Sequence, residues 1–188
     1  MLITNTHQIE GQSFEDYLAI PRMSFSGIKS EGKTITQTPK MQLGTMVHNY
    51  LLEPQRYNYE RFEEVKPIAN HLRDVLGTAL QYAKPELTVM ADFNNEGMVL
   101  EYKGRVDLKL SDLIIDLKVS DAPLKSGIEY FRYDRQLTGY ALAAKCSQAM
   151  IISYNKKKRK VEMQMITFDI DYWKQITLKY GKRNENRN

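Results

Sequence analysis

Cysteine is nearly absent from this chain of 188 residues, in which Cys146 stands alone. An intramolecular disulfide, a cysteine-rich zinc site and a four-cysteine iron–sulfur cluster are therefore excluded. No stretch approaches eighteen uninterrupted apolar residues, so we expect no transmembrane helix. Acidic residues near the N-terminus argue against a secretory signal peptide. Together these absences predict a protein of a reducing, cytoplasmic compartment that has no membrane partner.

Nucleotide-binding motifs are also missing. The chain contains neither a P-loop nor Gly-x-Gly-x-x-Gly, so nucleotide-driven activity is not indicated. It has 6 Pro and 10 Gly, and no repeat or flexible linker divides it, which predicts a single domain over residues 1–188. The net charge of +4 is compatible with nucleic acid as a partner but does not identify one.

Apolar periodicity predicts an α/β fold of the mixed α+β kind, in which helices flank a central mixed sheet. Residues 1–40 are polar and interrupted by breakers, so we expect them to wrap the surface irregularly, and we expect 181–188 to be a frayed tail. Asn70 is a possible helix cap. The predicted helices are 41–53, 70–83, 123–146 and 172–180, and the predicted strands are 87–91, 98–110, 113–119, 149–154 and 161–168.

The segment from 104 to 118 is the most informative part of the chain. If Ser111 and Asp112 form a two-residue turn, alternation places Asp107 directly opposite Asp116 on one face of a hairpin. Opposed Cβ atoms lie about 4.5–5.5 Å apart, and two carboxylates that close repel each other unless a cation or a proton lies between them. On the other face the expected apolar pairs are Leu110 with Leu113, Leu108 with Ile115, and Val106 with Leu117.

This pair of carboxylates gives a reason for a metal ion. Oxygen ligands suit magnesium, manganese or calcium. Lys118 follows Asp116 by two residues and so shares its face, where an ammonium can orient an attacking water or stabilise a developing phosphoryl charge. The alternative is an ordinary solvated hairpin face with mixed charges.

Three motifs occur in order: Gly-Thr-x-x-His at 44–48, Gly-Arg-Val-Asp at 104–107 with Ile-Asp-Leu-Lys at 115–118, and Gln-x-x-x-Tyr at 136–140. In this order they resemble the PD-(D/E)XK nuclease superfamily, and within it the RecE-type exonucleases, which are similar to exonuclease VIII and phage lambda exonuclease. The resemblance implies a restriction-endonuclease-like core and metal-dependent hydrolysis of phosphodiester bonds. It further implies exonucleolytic digestion of double-stranded DNA, in recombination or repair, in a bacterium or phage.

The resemblance also implies roles for individual residues. Mg²⁺, with Mn²⁺ as a substitute, would be held by His48, Asp107, Asp116 and the Leu117 carbonyl. Lys118 and Gln136 would act with the aspartates in catalysis, and Tyr140 would contact DNA. Helical spacing, apart from the resemblance, places Arg132 one turn before Gln136 on the same stripe, where it could bind a DNA phosphate. Without the resemblance, His48 is an ordinary helix residue, and Gln136 and Tyr140 are plain helix packing. Partners implied by the resemblance are DNA, a single-strand-annealing protein and further copies of the chain.

A basic run follows the predicted strand 149–154. Its residues Lys156, Lys157 and Lys158 either form a solvated turn or contact the DNA backbone. Lys29, Lys33 and Lys40 could add to the positive surface.

Three functions therefore compete: a metal-dependent DNA nuclease, a non-catalytic nucleic-acid-binding module with a nuclease-like fold, and a protein-interaction domain with a charged hairpin. Metal binding that depends on both Asp107 and Asp116 separates the interaction domain from the other two.

Overall fold

The computed structural model describes residues 1–31, 36–54 and 63–183. Its strands are β1 (Leu2–Ile9), β2 (Lys84–Asn95), β3 (Met98–Leu110), β4 (Leu113–Ser120), β5 (Gln148–Asn155), β6 (Lys160–Met165) and β7 (Lys182–Arg183). Its helices are α1 (Phe14–Ala19), α2 (Phe25–Ser30), α3 (Pro39–Leu52), α4 (Val65–Leu76), α5 (Ala79–Tyr82), α6 (Leu124–Phe131), α7 (Tyr133–Ala144) and α8 (Ile170–Tyr180).

One mixed sheet organises the described residues. Its strands lie in the order β1-β2-β3-β4-β5-β6, and β7 pairs with β3. The pairings are antiparallel except that of β4 with β5, which is parallel. Helices α3 and α4 bury one face of the sheet, and α2, α7 and α8 bury the other. The predicted fold class, a central mixed sheet flanked by helices, is confirmed. In the described parts of the chain, no helix is both long and apolar enough to cross a bilayer.

The hairpin at the centre of the sheet has the predicted turn. Leu110 pairs with Leu113, and Leu108 pairs with Ile115. The β3–β4 ladder ends there, so the predicted pairing of Asp107 directly opposite Asp116 is wrong, and so is that of Val106 with Leu117. Val106 packs in the core beneath α7, whereas Leu117 packs against α3 and α4.

The divergence of β3 from β4 coincides with an interruption on the other side of β3. Leu87 pairs with Val106 and Pro85 pairs with Leu108, but the intervening Glu86 has a left-handed φ of 49°. β3 is therefore irregular on both sides at Asp107, and this opens the space in which the charged residues of the hairpin lie.

The prediction that residues 1–40 are irregular is wrong for much of that segment. β1 pairs antiparallel with β2 at the edge of the sheet, and two short helices follow it. An edge strand needs few apolar residues, because one side of it faces solvent. The polar sequence of β1 therefore lacks the apolar alternation by which a strand is predicted. The predicted frayed tail is wrong at Lys182 and Arg183, which pair with β3. Residues 184–188, like Lys33, lie outside the described residues.

The two longest predicted helices are divided differently in the structure. Instead of one helix over 70–83, α4 begins at Val65, with Asn70 inside it rather than at its cap, and ends where Gly77 has a φ of 52°. Instead of one helix over 123–146, α6 and α7 are separated by Arg132, which has left-handed φ and ψ of 58° and 46°. Because α7 begins a new direction, Arg132 does not share a helical stripe with Gln136.

Helix α7 packs unusually close to its neighbours. A Cβ on Gly104 of β3 would lie 2.5 Å from the ring of Tyr140, and a Cβ on Gly139 would collide with the ring of Trp173. Glycine at these two positions allows α7 to sit directly over the charged half of the hairpin.

Candidate active site

His48, Asp107 and Leu117 meet where α3 crosses β3 and β4. The Nδ1 atom of His48 lies 3.6 Å from Oδ2 of Asp107. The backbone N–H of Leu117 donates a hydrogen bond of 2.7 Å to the same Oδ2. The Leu117 backbone is also a hydrogen-bond partner of His48. Three of the four predicted metal-holding residues are thus gathered by direct contacts.

Asp116 is the most deeply buried carboxylate of this group, and its side chain is 2% exposed. Its Oδ2 lies 2.5 Å from Nζ of Lys118 but accepts no hydrogen bond of normal geometry from the described residues. The charged face of the hairpin is therefore enclosed beneath α7, and the alternative of an ordinary solvated face is excluded.

Burial shifts the proton equilibria of the aspartates toward the neutral form. It raises the pKa of Asp116 to about 6, with Lys118 opposing the shift and Asp107 adding to it. Burial likewise raises the pKa of Asp107, against the opposing effects of Lys118 and the Leu117 N–H. Both carboxylates would gain from a further cation, because it would stabilise their ionised forms.

The pKa values of the two basic groups, His48 and Lys118, shift in opposite directions. Burial lowers the pKa of His48, and the nearby Lys118 lowers it further, so the imidazole is neutral at neutral pH and has a free lone pair. Burial alone would lower the pKa of Lys118, but Asp116 and Asp107 outweigh it and raise that pKa above its ordinary value. Lys118 is therefore a permanent ammonium in this site.

Glu86 belongs to the site, although its sequence context predicted little for it. It lies on β2 between Pro85 and Leu87, whose partners on β3 flank Asp107, and its Oε2 lies 2.5 Å from Nε of Arg105. Burial raises the pKa of Glu86, and Asp107 adds to the shift. Only the register of β2 against β3 could have revealed it, because nothing in the local sequence separates Glu86 from other surface glutamates.

Tyr133 is a second residue that the sequence reasoning missed. Nζ of Lys118 lies 5.1 Å from the centre of its ring. An ammonium over an aromatic face is attracted by the ring quadrupole, so Tyr133 helps to hold Lys118 in place.

Gln136 and Tyr140 lie on α7 and contact each other. Nε2 of Gln136 donates a hydrogen bond of 2.8 Å to the Tyr140 hydroxyl. Tyr140 is 7% exposed and packs on Gly104, and burial raises its pKa well above the ordinary value, with the two aspartates among the smaller contributors. In this structure Tyr140 lies near enough to Asp107 and Asp116 to interact with them electrostatically, and Gln136 contacts Tyr140. The contact of Tyr140 with DNA stays a prediction.

The remaining residues predicted to contact DNA differ in where they lie relative to the site. Arg132 pairs with Asp134 at 3.1 Å and lies 3.6 Å from Asp169, so it is engaged at the junction of α6 and α7. The basic turn between β5 and β6 carries Lys156 toward the site and Lys157 and Lys158 outward. Nζ of Lys158 lies 3.8 Å from Glu162.

A cleft of about 690 Å³ leads to these residues from the surface. His48, Leu117 and Lys118 lie on its lining, together with the first turns of α3. Lys40 and Lys156 also line it, and both pair with Asp121, at 2.7 Å and 3.4 Å respectively. The cleft therefore reaches His48 and Lys118, which contact the buried Asp107 and Asp116, and two further lysines line it.

The residues at the inner end of the cleft have the donor types that a hard divalent cation prefers. Within the described residues, however, no three His, Cys, Asp or Glu side chains are already arranged as a metal-binding group. The ammonium of Lys118 occupies the position beside Oδ2 of Asp116. The buried Oδ2 without a hydrogen bond, the neutral His48 and the paired carboxylates fit such an ion once Lys118 withdraws from Oδ2.

Comparison with known proteins gives only distant similarity. No protein-family model and no curated protein matches the chain. Among solved structures, SSO0001 has 15% identity and a TM-score of 0.43, covering 88% of this chain and 83% of that one. A phage related exonuclease from Haemophilus somnus 129PT has 17% identity and a TM-score of 0.43, covering 86% and 91%. An alkaline exonuclease from Laribacter hongkongensis has 14% identity and a TM-score of 0.43, covering 86% of each chain. Similarity at this level assigns no function. A functional assignment therefore rests on the geometry of the site.

Proposed function

We propose that this protein is a metal-dependent nuclease that hydrolyses phosphodiester bonds of DNA. One observation carries the proposal: His48 and Lys118 line a cleft together with Lys40 and Lys156, and behind them they contact the buried Asp107 and Asp116. A polyanionic substrate is attracted to such a cleft, and buried carboxylates beside it would repel that substrate unless a cation intervened.

Mg²⁺, or Mn²⁺ in its place, would be held by His48, Asp107, Asp116 and the Leu117 carbonyl. When bound, such an ion polarises a phosphoryl oxygen and lowers the pKa of a bound water.

The protein's own residues supply the rest of the chemistry. Lys118 remains protonated and donates hydrogen bonds to a phosphoryl oxygen, where negative charge develops as water attacks phosphorus. The Leu117 N–H fixes Asp107, and the ring of Tyr133 limits the directions in which the Lys118 ammonium can move. Gln136 and Tyr140 close the inner side of the site, and Lys40 and Lys156 bind neighbouring phosphates.

The finer proposal is an exonuclease that digests linear duplex DNA during recombination or repair. A cleft that is open at the surface and reaches His48 and Lys118, beside the buried aspartates, suits the end of a strand. The cytoplasmic location, the single-strand-annealing partner and the assembly of several copies stay predictions.

The test is digestion of an end-labelled linear duplex beside the same DNA as a closed circle, with Mg²⁺, Mn²⁺ or EDTA. We expect loss of the linear DNA alone, in either metal and not in EDTA. Cutting of both substrates would replace exonuclease by endonuclease. DNA binding without any cutting would favour the non-catalytic nucleic-acid-binding module. If the protein neither binds nor cuts DNA, a protein-interaction domain becomes the favoured function.

Asp116→Ala provides the internal control for the same digestion. We expect it to abolish cleavage and weaken metal binding while the fold persists, because removal of one carboxylate relieves its repulsion with Asp107. Asp171→Ala is the matched variant, since Asp171 is exposed on α8 and pairs only locally with Lys174. It should cut like the parent protein, and undiminished cleavage by Asp116→Ala would remove Asp116 from the active site.

A further inference from the structure

A column of aromatic side chains runs from the protein surface to the catalytic lysine. Tyr130, at the end of α6, is 79% exposed, and its ring contacts Phe131 edge-on with centroids 4.9 Å apart. Phe131 stacks on Tyr133 with centroids 5.5 Å apart and an angle of 21° between the rings. Tyr133 in turn lies beneath the Lys118 ammonium. Phe131 and Tyr133 both line the cleft.

Contacts with Lys29 hold Phe131, the second ring of this column, in position. Nζ of Lys29 donates a hydrogen bond of 3.2 Å to the Phe131 carbonyl and lies 5.3 Å from the centre of the Phe131 ring. The left-handed Arg132 then turns the chain, so that Phe131 and Tyr133 stack although they lie in different helices. Two positively charged groups, Lys29 outside and Lys118 inside, therefore flank an exposed aromatic surface.

We propose that Tyr130 and Phe131 form a stacking surface for an unpaired nucleobase at the end of the strand that enters the cleft. The inference rests on the proposed function and extends it, because it names the part of the substrate that this surface selects. Aromatic rings bind bases by stacking regardless of sequence, and the adjacent lysines neutralise the phosphates on either side. A frayed or single-stranded end would thus bind more tightly than a fully paired one.

Charge argues for a nucleobase as the occupant. An apolar protein segment would gain nothing from the ammonium groups of Lys29 beside Phe131 and of Lys40 and Lys156 on the cleft lining, whereas a nucleotide presents a flat ring and a phosphate together. The column is also continuous with Lys118, so a base stacked at Tyr130 belongs to the strand whose backbone passes the aspartates.

The experiment uses the full chain and a DNA duplex with a three-nucleotide unpaired end, compared with the same duplex in which that end is abasic. Binding is measured in EDTA, so that no substrate is consumed, with 2-aminopurine in the unpaired end to report stacking by loss of fluorescence. The variants are Tyr130→Ala, the conservative Tyr130→Trp, and Tyr82→Ala, since Tyr82 is 78% exposed but lies away from the cleft lining.

We expect the parent protein to quench the fluorescence and to prefer the base-bearing end over the abasic end by roughly tenfold. Tyr130→Ala should abolish this preference, whereas Tyr130→Trp and Tyr82→Ala should retain it. Equal binding of both ends by the parent protein, or an equal loss on both ends in Tyr130→Ala, would overturn the stacking inference and leave the nuclease proposal standing. Absence of any DNA binding by the parent protein in EDTA would also overturn the stacking inference. The nuclease proposal would then be decided by the digestion in Mg²⁺ or Mn²⁺, because a bound cation offsets the repulsion between the aspartates and DNA.

Discussion

Asp116 and Lys118 lie two residues apart on β4, and each sets the charge of the other. The ion pair at 2.5 Å keeps Lys118 protonated, and without it burial would raise the pKa of Asp116 further. Such a pair is retained at a cost, because desolvation offsets much of its Coulombic attraction. Perturbed ionisable groups of this kind concentrate at functional sites. In the proposed mechanism the pair has two tasks, holding a cation with Asp116 and stabilising phosphoryl charge with Lys118.

Lys118→Ala separates these two tasks. We expect cleavage to fall by about 100- to 1000-fold in kcat, the usual cost of losing one donor to a developing negative charge. Metal affinity should be retained, because the ammonium competes with a metal ion for Oδ2 of Asp116. Single-turnover cleavage and calorimetric Mn²⁺ titration measure the two effects, with the exposed Lys174→Ala as the control. Loss of metal binding in Lys118→Ala would make Lys118 a structural residue.

The raised pKa of Asp116 predicts how metal affinity depends on pH. A carboxyl with a pKa of about 6 is mostly ionised above pH 6 and mostly protonated below it, so a proton increasingly competes with the metal as the pH falls. The apparent Mn²⁺ affinity should be nearly constant above pH 7 and should fall by about tenfold per pH unit below 6, as expected for one displaced proton. An affinity unchanged between pH 7 and pH 5 would show that Asp116 does not bind the ion.

At the scale of secondary structure, two glycines on opposite sides of the site should respond to alanine with opposite signs. A Cβ at Gly104 meets the Tyr140 ring, and overpacking of this kind costs about 1–3 kcal/mol. A Cβ at Gly44 in α3 meets nothing within 4 Å, so Gly44→Ala should stabilise the helix by up to about 1 kcal/mol. Thermal unfolding of the two variants tests this, and a Gly104→Ala protein as stable as its parent would show that α7 does not pack tightly on β3.

The central elements were predictable because their sequences carry strong local signals. Alternation defined β3 within its observed bounds and placed the turn at Ser111 and Asp112. The edge strand β1 was not predictable, since its polar sequence satisfies an edge without an apolar pattern. The break at Arg132 was missed as well, because a left-handed non-glycine residue leaves no mark in periodicity.

The site residues also divide into those with a local sequence signal and those without one. His48, Asp107, Leu117, Asp116 and Lys118 could be predicted, because they lie in short motifs on three elements. Glu86 and Tyr133 depend on tertiary placement, through the β2–β3 register and through the turn between α6 and α7, and sequence spacing does not encode either.

At the scale of the whole molecule, the modest net charge matters less than where the lysines lie. Lys156 lines the cleft, whereas Lys158 in the same turn lies beside Glu162. Lys156→Ala should therefore weaken DNA binding and reduce the slope of log affinity against log salt concentration by about one, and Lys158→Ala should change it less. Binding titrations at several salt concentrations measure both slopes. Equal slopes for the two variants would show that the cleft does not direct the DNA.

The metal centre is the central claim, and crystals grown with Mn²⁺ test it most directly. An anomalous difference map should show a single strong peak contacted by His48, Asp107, Asp116 and the Leu117 carbonyl, with the Lys118 ammonium displaced from Oδ2 of Asp116. In Asp116→Asn crystals grown alongside, that peak should weaken or disappear. A map without a peak at these residues, at saturating Mn²⁺ and with Lys118 still beside Asp116, would contradict the account.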